Sequence, residues 1–215
     1  MKKVGNCVAP WYELNTGYDG RVACCCYYSG PTDRWTNQAP IDLDMYWNSD
    51  NMRRVRRIIS YGSQIPIHGC QNCWLFQFRD DPSPYCPEFF DPPGDLNAEQ
   101  RSNWEKAIDD FENKREEVSS FPIRYYINFG LACNLSCIMC SQTPQRLVNR
   151  DQVCAENVLR LTPYLRKAHR ISVIGGEPFV LSEALAFMKH VASDSSLSDV
   201  WLDILTNGTL LHRYL

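Results

Sequence analysis

The residues of this chain best suited to chemistry are three cysteines in one stretch, Cys133, Cys137 and Cys140, spaced CxxxCxxC. Three thiolates can bind a cubane iron–sulfur cluster through three of its irons and leave the fourth iron open to a ligand or substrate, whereas four thiolates would fill every iron. Structural zinc sites prefer paired CxxC knuckles with four ligands, and cysteine is commonly buried as a small hydrophobic residue. The spacing therefore favours a cluster with one vacant iron over a zinc site or core thiols.

Two further motifs are placed to bring a small molecule against this stretch. Gly175-Gly176-Glu177-Pro178 follows a short apolar segment, and Thr206-Asn207-Gly208 follows another. The glycine pair lets another molecule approach the backbone closely, and the proline ends a strand. Because ligands gather at the carboxyl ends of strands in parallel α/β folds, we expect all three motifs to lie at one edge of a sheet.

The elements that position these motifs alternate between strand and helix after residue 121. Apolar residues have the period of a strand over 121–129, and short strands are predicted at 171–174 and 200–206. Helices are predicted to open at Thr143, Asp151 and Ser182. This order implies parallel pairing with right-handed crossovers, and therefore an α/β fold.

Two helices are predicted before that point. One spans Asp50 to Tyr61, is capped by Ser49 and has an apolar face. Its four arginines are expected on the solvated face, with contact to a phosphate or a peptide carboxylate as the alternative: Arg53, Arg54, Arg56 and Arg57. The other helix follows an Asn97 cap, runs to about Val118 and bridges to the second half of the chain.

Composition excludes several function classes. A net charge of −3 and a pI near 5.8 provide no general surface for nucleic acid or membrane lipid. We find no apolar run of transmembrane length and no apolar signal region after Met1. Eleven cysteines without a secretory signal favour a reducing compartment, so we expect a cytoplasmic protein that binds a metal or cluster.

The segment Cys133–Cys140, of sequence CNLSCIMC, together with GGEP and TNG, resembles the core of the radical S-adenosylmethionine (SAM) superfamily. The first half of the chain resembles the SPASM/twitch auxiliary-cluster domain of that family. The resemblance implies the first half of a partial (β/α)6 radical SAM barrel, preceded by a small cysteine-rich α+β domain. We place the auxiliary domain at 1–90, a linker and bridging helix at 91–120 and an incomplete core at 121–215. We expect a truncated chain, with a partner that supplies the missing half as the alternative.

The resemblance also implies a reaction. The three loop cysteines would bind a 4Fe-4S cluster, and the amino and carboxylate groups of SAM would chelate its fourth iron. One electron would then cleave SAM into methionine and a 5′-deoxyadenosyl radical, which abstracts a hydrogen atom from a substrate. The residues Gly175, Gly176 and Glu177 would meet the methionine amino group.

Two other residues receive a role from the resemblance. Met139 occupies a position that is usually aromatic in the family, where its thioether would lie beside the adenine. Asn207 is either a contact to the ribose or carboxylate of SAM or a plain turn residue. Cys154, at an apolar helical position, is predicted to be a core residue.

The amino-terminal cysteines are expected to form a second site. The resemblance to SPASM assigns its ligands as Cys7, Cys25, Cys70 and Cys73. By spacing alone, zinc and a 4Fe-4S cluster suit such a set equally well, and the resemblance favours the cluster. Cys24 and Cys26 remain alternatives to Cys25. Cys86 is either an alternative fourth ligand or a thiol that binds no metal. The auxiliary domain here precedes the core, whereas it usually follows it.

Substrate and partners are expected from the same resemblance. SPASM/twitch domains usually accompany enzymes that act on a peptide or protein, and a carbohydrate or nucleotide substrate is the alternative. A reductase or flavodoxin-type protein would supply the electron. The non-catalytic alternatives are an electron-transfer protein and a zinc-stapled binding module. GGEP argues against the former, since electron transfer needs no small-molecule cradle.

Overall fold

A mostly parallel five-stranded sheet organises the structure, a computed structural model that describes residues 7–30, 42–61, 67, 69–70, 73, 86–142 and 152–214. Its strands are β1 (Glu13–Thr16), β2 (Val22–Ala23), β3 (Arg124–Asn128), β4 (Arg170–Ile174) and β5 (Trp201–Ile204). They lie in the order β2-β1-β3-β4-β5, and only the pairing of β1 with β2 is antiparallel. The predicted α/β class and the three parallel strands of the second half are confirmed.

The strand β1 comes from the cysteine-rich first half and was not predicted. It pairs in parallel with β3, so that Glu13 lies opposite Arg124 and Leu14 opposite Tyr125. One sheet therefore includes strands from both sides of the predicted boundaries at residues 90 and 120. The division into an auxiliary domain, a bridge and a core stays a prediction.

The helices of the described residues have the following bounds: α1 Ala9–Tyr12, α2 Leu43–Trp47, α3 Asp50–Tyr61, α4 Ala98–Glu112, α5 Ala155–Leu159, α6 Thr162–Leu165 and α7 Ser182–Ser193. Short 3-10 turns occur at Pro87–Phe89, Ser195–Leu197 and Leu211–Arg213. In this part of the chain, none of the helices has the length and apolar character needed to cross a membrane.

Most of the predicted helices are found where expected. The bounds of α3 and the start of α7 agree with the prediction, and the Ser49 hydroxyl accepts a hydrogen bond from Met52 N at 3.4 Å. The helix predicted at Thr143 and the start predicted at Asp151 lie outside the described residues. Cys154 was expected to be a core residue within a helix, but it lies half-buried at the N-cap of α5.

The helix α4 closes the amino-terminal edge of the sheet. Its Gln100 amide donates to Ala168 O at 2.7 Å and to Asp199 O at 2.9 Å, just before β4 and β5. The Asn103 amide donates to Phe121 O at 3.1 Å, just before β3. Because α4 covers this edge, the turns that follow β3, β4 and β5 emerge at the opposite edge.

The cap predicted at Asn97 is confirmed, and it forms a capping box with Gln100, but α4 ends at Glu112 and not near Val118. The buried carboxylate of Asp110 explains the earlier end. It accepts hydrogen bonds from Ser119 N at 2.9 Å and Ser120 N at 3.0 Å. The chain therefore folds back on the last turn of α4, which leaves no room for the helix to continue.

The arginine face of α3 is not wholly solvated, and the expectation for Arg56 was wrong. Its guanidinium is completely buried, lies 4.7 Å from the centre of the Trp47 ring, and donates to Pro10 O and Glu116 O, each at 2.9 Å. Burial lowers the pKa of this guanidinium to about 10. Arg56 thus fastens α3 to the first helix and to the segment after α4.

Replacing Arg56 tests this role. Arg56→Met should lower the free energy of unfolding by about 3 kcal/mol, because two buried carbonyl oxygens lose a charged donor. The adjacent Arg57, whose side chain is 61% exposed and paired with Glu116, is the matched control, and Arg57→Met should have little effect. Urea unfolding followed by circular dichroism measures both. Equal losses in the two variants would contradict a structural role specific to Arg56.

Candidate functional site

The cysteine loop follows β3 and is open to solvent at its tip. Cys133 and Cys140 are partly exposed, and Cys137 is exposed. Next to them the side chains of Ile138 and Met139 are 101% and 82% exposed. Apolar side chains in this position provide a surface on which an aromatic or aliphatic ligand could pack.

The glycine pair packs directly against the start of this loop. Gly176 N donates to Gly130 O at 3.0 Å, and Glu177 N donates to Ala132 O at 2.9 Å. A Cβ atom on Gly176 would lie 2.2 Å from Ala132 O, and one on Gly175 would lie 2.5 Å from Gly130 O. Gly175 also has a φ of 135°, a conformation that L side chains rarely adopt. Both glycines are therefore needed for contact between the two turns, and their predicted role in binding SAM stays a prediction.

The carboxylate of Glu177 joins the turn after β4 to the turn after β5. It is completely buried and accepts hydrogen bonds from Thr206 Oγ1 at 2.7 Å, Asn207 N at 2.8 Å and Phe179 N at 3.1 Å. Because its oxygens bind these internal donors, any contact of Glu177 with a ligand amino group would be made by its backbone. The sequence indicated this residue as a ligand contact and did not indicate its internal role.

A ring of three side-chain hydrogen bonds joins the TNG turn to the cysteine loop. Asn207 Nδ2 donates to Asn134 Oδ1 at 2.9 Å, Asn134 Nδ2 donates to Thr209 Oγ1 at 2.8 Å, and Thr209 Oγ1 donates to Asn207 Oδ1 at 2.6 Å. The three predicted motifs thus lie together at the carboxyl-terminal edge of β3, β4 and β5. In this part of the fold the expected arrangement is found.

The structure does not bring the predicted thiols into a metal-binding geometry. Among the described residues, no three His, Cys, Asp or Glu side chains converge closely enough to hold a metal ion. The donor set nevertheless fits an iron–sulfur cluster chemically, because thiolates are its usual ligands and the loop that carries them is partly exposed.

The amino-terminal cysteines lie close enough to influence one another's ionisation. Burial, then the charge of Cys25, raises the pKa of Cys70 to about 12, and the same two causes raise that of Cys7. Hydrogen bonds from Cys24 and from two backbone N–H groups lower the pKa of Cys25 to about 7. The charge of Cys73 also contributes to the raised pKa of Cys70. The fold therefore places Cys7, Cys25 and Cys70 near one another, although not in the geometry of a metal site.

One face of the sheet carries polar side chains that were not predicted from the sequence. Register places Glu13, Arg124 and Arg170 in one row, and Asn15, Tyr126, Ser172 and Asp203 in the next. In the described part of the chain, Glu13 Oε2, Asn15 Nδ2 and Arg124 Nε are buried without a hydrogen-bond partner. Burial, then the charge of Cys25, raises the pKa of Glu13 to about 8. The apolar alternation over 121–129 was the available signal, since it leaves Arg124 and Tyr126 on the opposite face.

The comparisons with known proteins identify no relatives. The chain matches no protein-family model, no curated protein and no solved structure at a significant level. The resemblance to radical SAM proteins therefore rests on the motifs and on their positions in the fold.

A glycine substitution tests the contact between the GGEP turn and the cysteine loop. Gly176→Ala should lower the free energy of unfolding by about 3 kcal/mol and increase hydrogen exchange over 130–142, because the new methyl group would overlap backbone oxygens. Gly94→Ala is the control, since a Cβ at Gly94 would meet no atom within 4 Å. Thermal unfolding and exchange mass spectrometry measure both. A Gly176→Ala protein as stable as Gly94→Ala would contradict the close packing.

Proposed function

We propose that the chain is a radical SAM protein, in which a 4Fe-4S cluster on the cysteine loop binds and reductively cleaves SAM. One observation supports this most strongly. A CxxxCxxC loop, a GGEP turn and a TNG turn follow three adjacent parallel strands and contact one another at the edge where α/β folds bind ligands. A protein that needed only a structural metal site would require the cysteine loop but not the GGEP and TNG turns.

Different residues of the chain would have different roles in this site. Cys133, Cys137 and Cys140 would hold the cluster by three irons. The backbone of Gly175 to Glu177, fixed by the Glu177 carboxylate, would present its polar groups to the amino group of SAM. Exposed Met139 would pack against the adenine. When bound and reduced by an electron donor, the cluster would pass one electron to SAM, which would split into methionine and a 5′-deoxyadenosyl radical able to take a hydrogen atom from the substrate.

The amino-terminal thiols would form a second, closed site. Cys7, Cys25, Cys70 and Cys73 are a donor set suited to a 4Fe-4S cluster, with zinc as the alternative. Support comes from their place in the fold, since Cys7, Cys25 and Cys70 pack against the same hydrophobic core and Cys73 N donates to Cys70 O at 3.1 Å. The default role of this second site is structural, because a metal bound by thiols that are distant in sequence stabilises the folded chain.

We propose a peptide or protein as the substrate, and a flavodoxin-type protein or reductase as the source of the electron. Both follow from the resemblance to SPASM/twitch proteins. The polar sheet face adds some support for a polar substrate, since it carries buried donor and acceptor atoms without partners among the described residues.

Anaerobic reconstitution with iron and sulfide tests the proposal. The protein should bind iron at the cysteine loop, SAM should change the EPR spectrum of the reduced cluster, and dithionite with SAM should yield 5′-deoxyadenosine. Cys137→Ala should abolish the SAM-dependent signal and the product, whereas the control Cys154→Ala should retain both, because Cys154 belongs to neither ligand set.

Each contrary result points to a different function. If SAM does not change the EPR spectrum of the reduced cluster, the result would indicate an electron-transfer protein. If the protein binds zinc and no iron, the result would indicate a binding module. Loss of product in Cys154→Ala as well as in Cys137→Ala would remove the evidence for a site specific to the cysteine loop.

A further inference from the structure

The side chain of Asn207 has a settled orientation. Its Oδ1 lies 3.0 Å from Thr209 N and 2.6 Å from Thr209 Oγ1. A backbone N–H can only donate, so the atom that faces it must be the amide oxygen and not the amide nitrogen. The Nδ2 group is therefore directed to the other side, toward the cysteine loop.

On that side, Nδ2 lies 2.9 Å from Asn134 Oδ1 and 3.9 Å from Cys133 Sγ. An amide nitrogen carries two N–H groups, one for each of these acceptors. The same sulfur also lies 3.4 Å from Leu135 N. Cys133 thus has two N–H donors around its sulfur, one from its own loop and one from the turn after β5.

Hydrogen bonds of both its backbone and its side chain fix the position of Asn207. Its backbone N–H donates to the buried Glu177 carboxylate at 2.8 Å, and its side chain belongs to the closed ring with Asn134 and Thr209. An N–H donor held in this way needs no rearrangement when a thiolate forms beside it. Hydrogen bonds to cysteine sulfur are one of the means by which proteins set the properties of iron–sulfur centres.

We propose that Asn207 is a positioning residue that donates an N–H···S hydrogen bond to Cys133, holds this thiolate in the cysteine loop, and raises the reduction potential of a cluster bound there. The first part concerns the chain alone. The part about the potential rests on the proposed function.

The metal-free chain provides the first test, through the rate at which iodoacetamide alkylates Cys133 at pH 7, followed by peptide mass spectrometry. The thiolate is the reactive form, and an N–H donor stabilises it. Asn207→Leu, which is similar in size and uncharged but has no donor, should slow alkylation of Cys133 about threefold. Cys137, measured in the same digests, is the internal control and should keep its rate.

The direction of the change separates the proposal from a merely structural role. If Asn207 only kept the loop closed, its loss would expose Cys133 and speed the reaction. An unchanged or faster rate in Asn207→Leu therefore overturns the proposal. Thr209→Val breaks the ring but keeps the Thr209 N–H donor to Asn207 Oδ1, so it should slow alkylation less than Asn207→Leu does. An equal slowing in the two variants would also overturn the proposal.

The reconstituted protein provides the second test. The midpoint potential of the cluster on the cysteine loop should shift to a lower value in Asn207→Leu at unchanged iron content, and the shift in Thr209→Val should be smaller, because Thr209 N still orients the Asn207 amide. An equal potential in wild type and Asn207→Leu overturns the part about tuning. If wild type forms no cluster at this loop, the proposed function fails, while the alkylation rates still decide whether Asn207 donates to Cys133.

Discussion

The arrangement of the candidate site depends on one buried carboxylate. Glu177 has no exposed surface, and its oxygens accept hydrogen bonds from Thr206 Oγ1 and Asn207 N of the turn after β5 and from Phe179 N of its own turn. A buried charge without such partners costs several kcal/mol. The turns after β4 and β5 therefore cannot separate without leaving this carboxylate unsatisfied, and they act as one rigid support.

The cysteine loop rests on that support by contacts that leave its tip free. Its first residues pack on the glycine pair, and Asn134 joins the ring with Asn207 and Thr209. Beyond that point the loop exposes Cys137, Ile138 and Met139. A rigid base and an accessible thiol-bearing tip suit a centre that must stay in place and still admit a small molecule. The helix α4 contributes indirectly, because it closes the opposite edge of the sheet.

The parts of the fold that follow simple periodicity were predictable from sequence. The alternation over 121–129 predicted β3, and Asn97 as a cap residue predicted the start of α4. Features that depend on tertiary contacts were not predictable in this way. The four residues of β1 have no alternation to distinguish them, and Arg56 is buried only because two distant carbonyl oxygens meet its guanidinium. The end of α4 was missed because it depends on Asp110 bonding to residues nine and ten positions later.

The site shows the same division. Spacing and strand order placed the three motifs at one edge, which the fold confirms, because this follows from parallel pairing alone. The roles of individual residues at this edge could not be predicted from sequence. Glycines that suggest room for a ligand also bring two backbones into contact, and Glu177 serves internal donors. The polar row that begins at Glu13 depends on register with a strand more than a hundred residues away.

The most direct measurement of the central constraint is residue-resolved hydrogen exchange by NMR on the metal-free chain, with attention to the backbone amide of Asn207. This amide lies in a turn, outside any helix or strand, and its 2.8 Å hydrogen bond to Glu177 is its source of protection. We predict that this amide exchanges at least a hundredfold more slowly than an unprotected peptide, and that Glu177→Ala abolishes this protection. Exchange at the unprotected rate in the wild-type chain would contradict it.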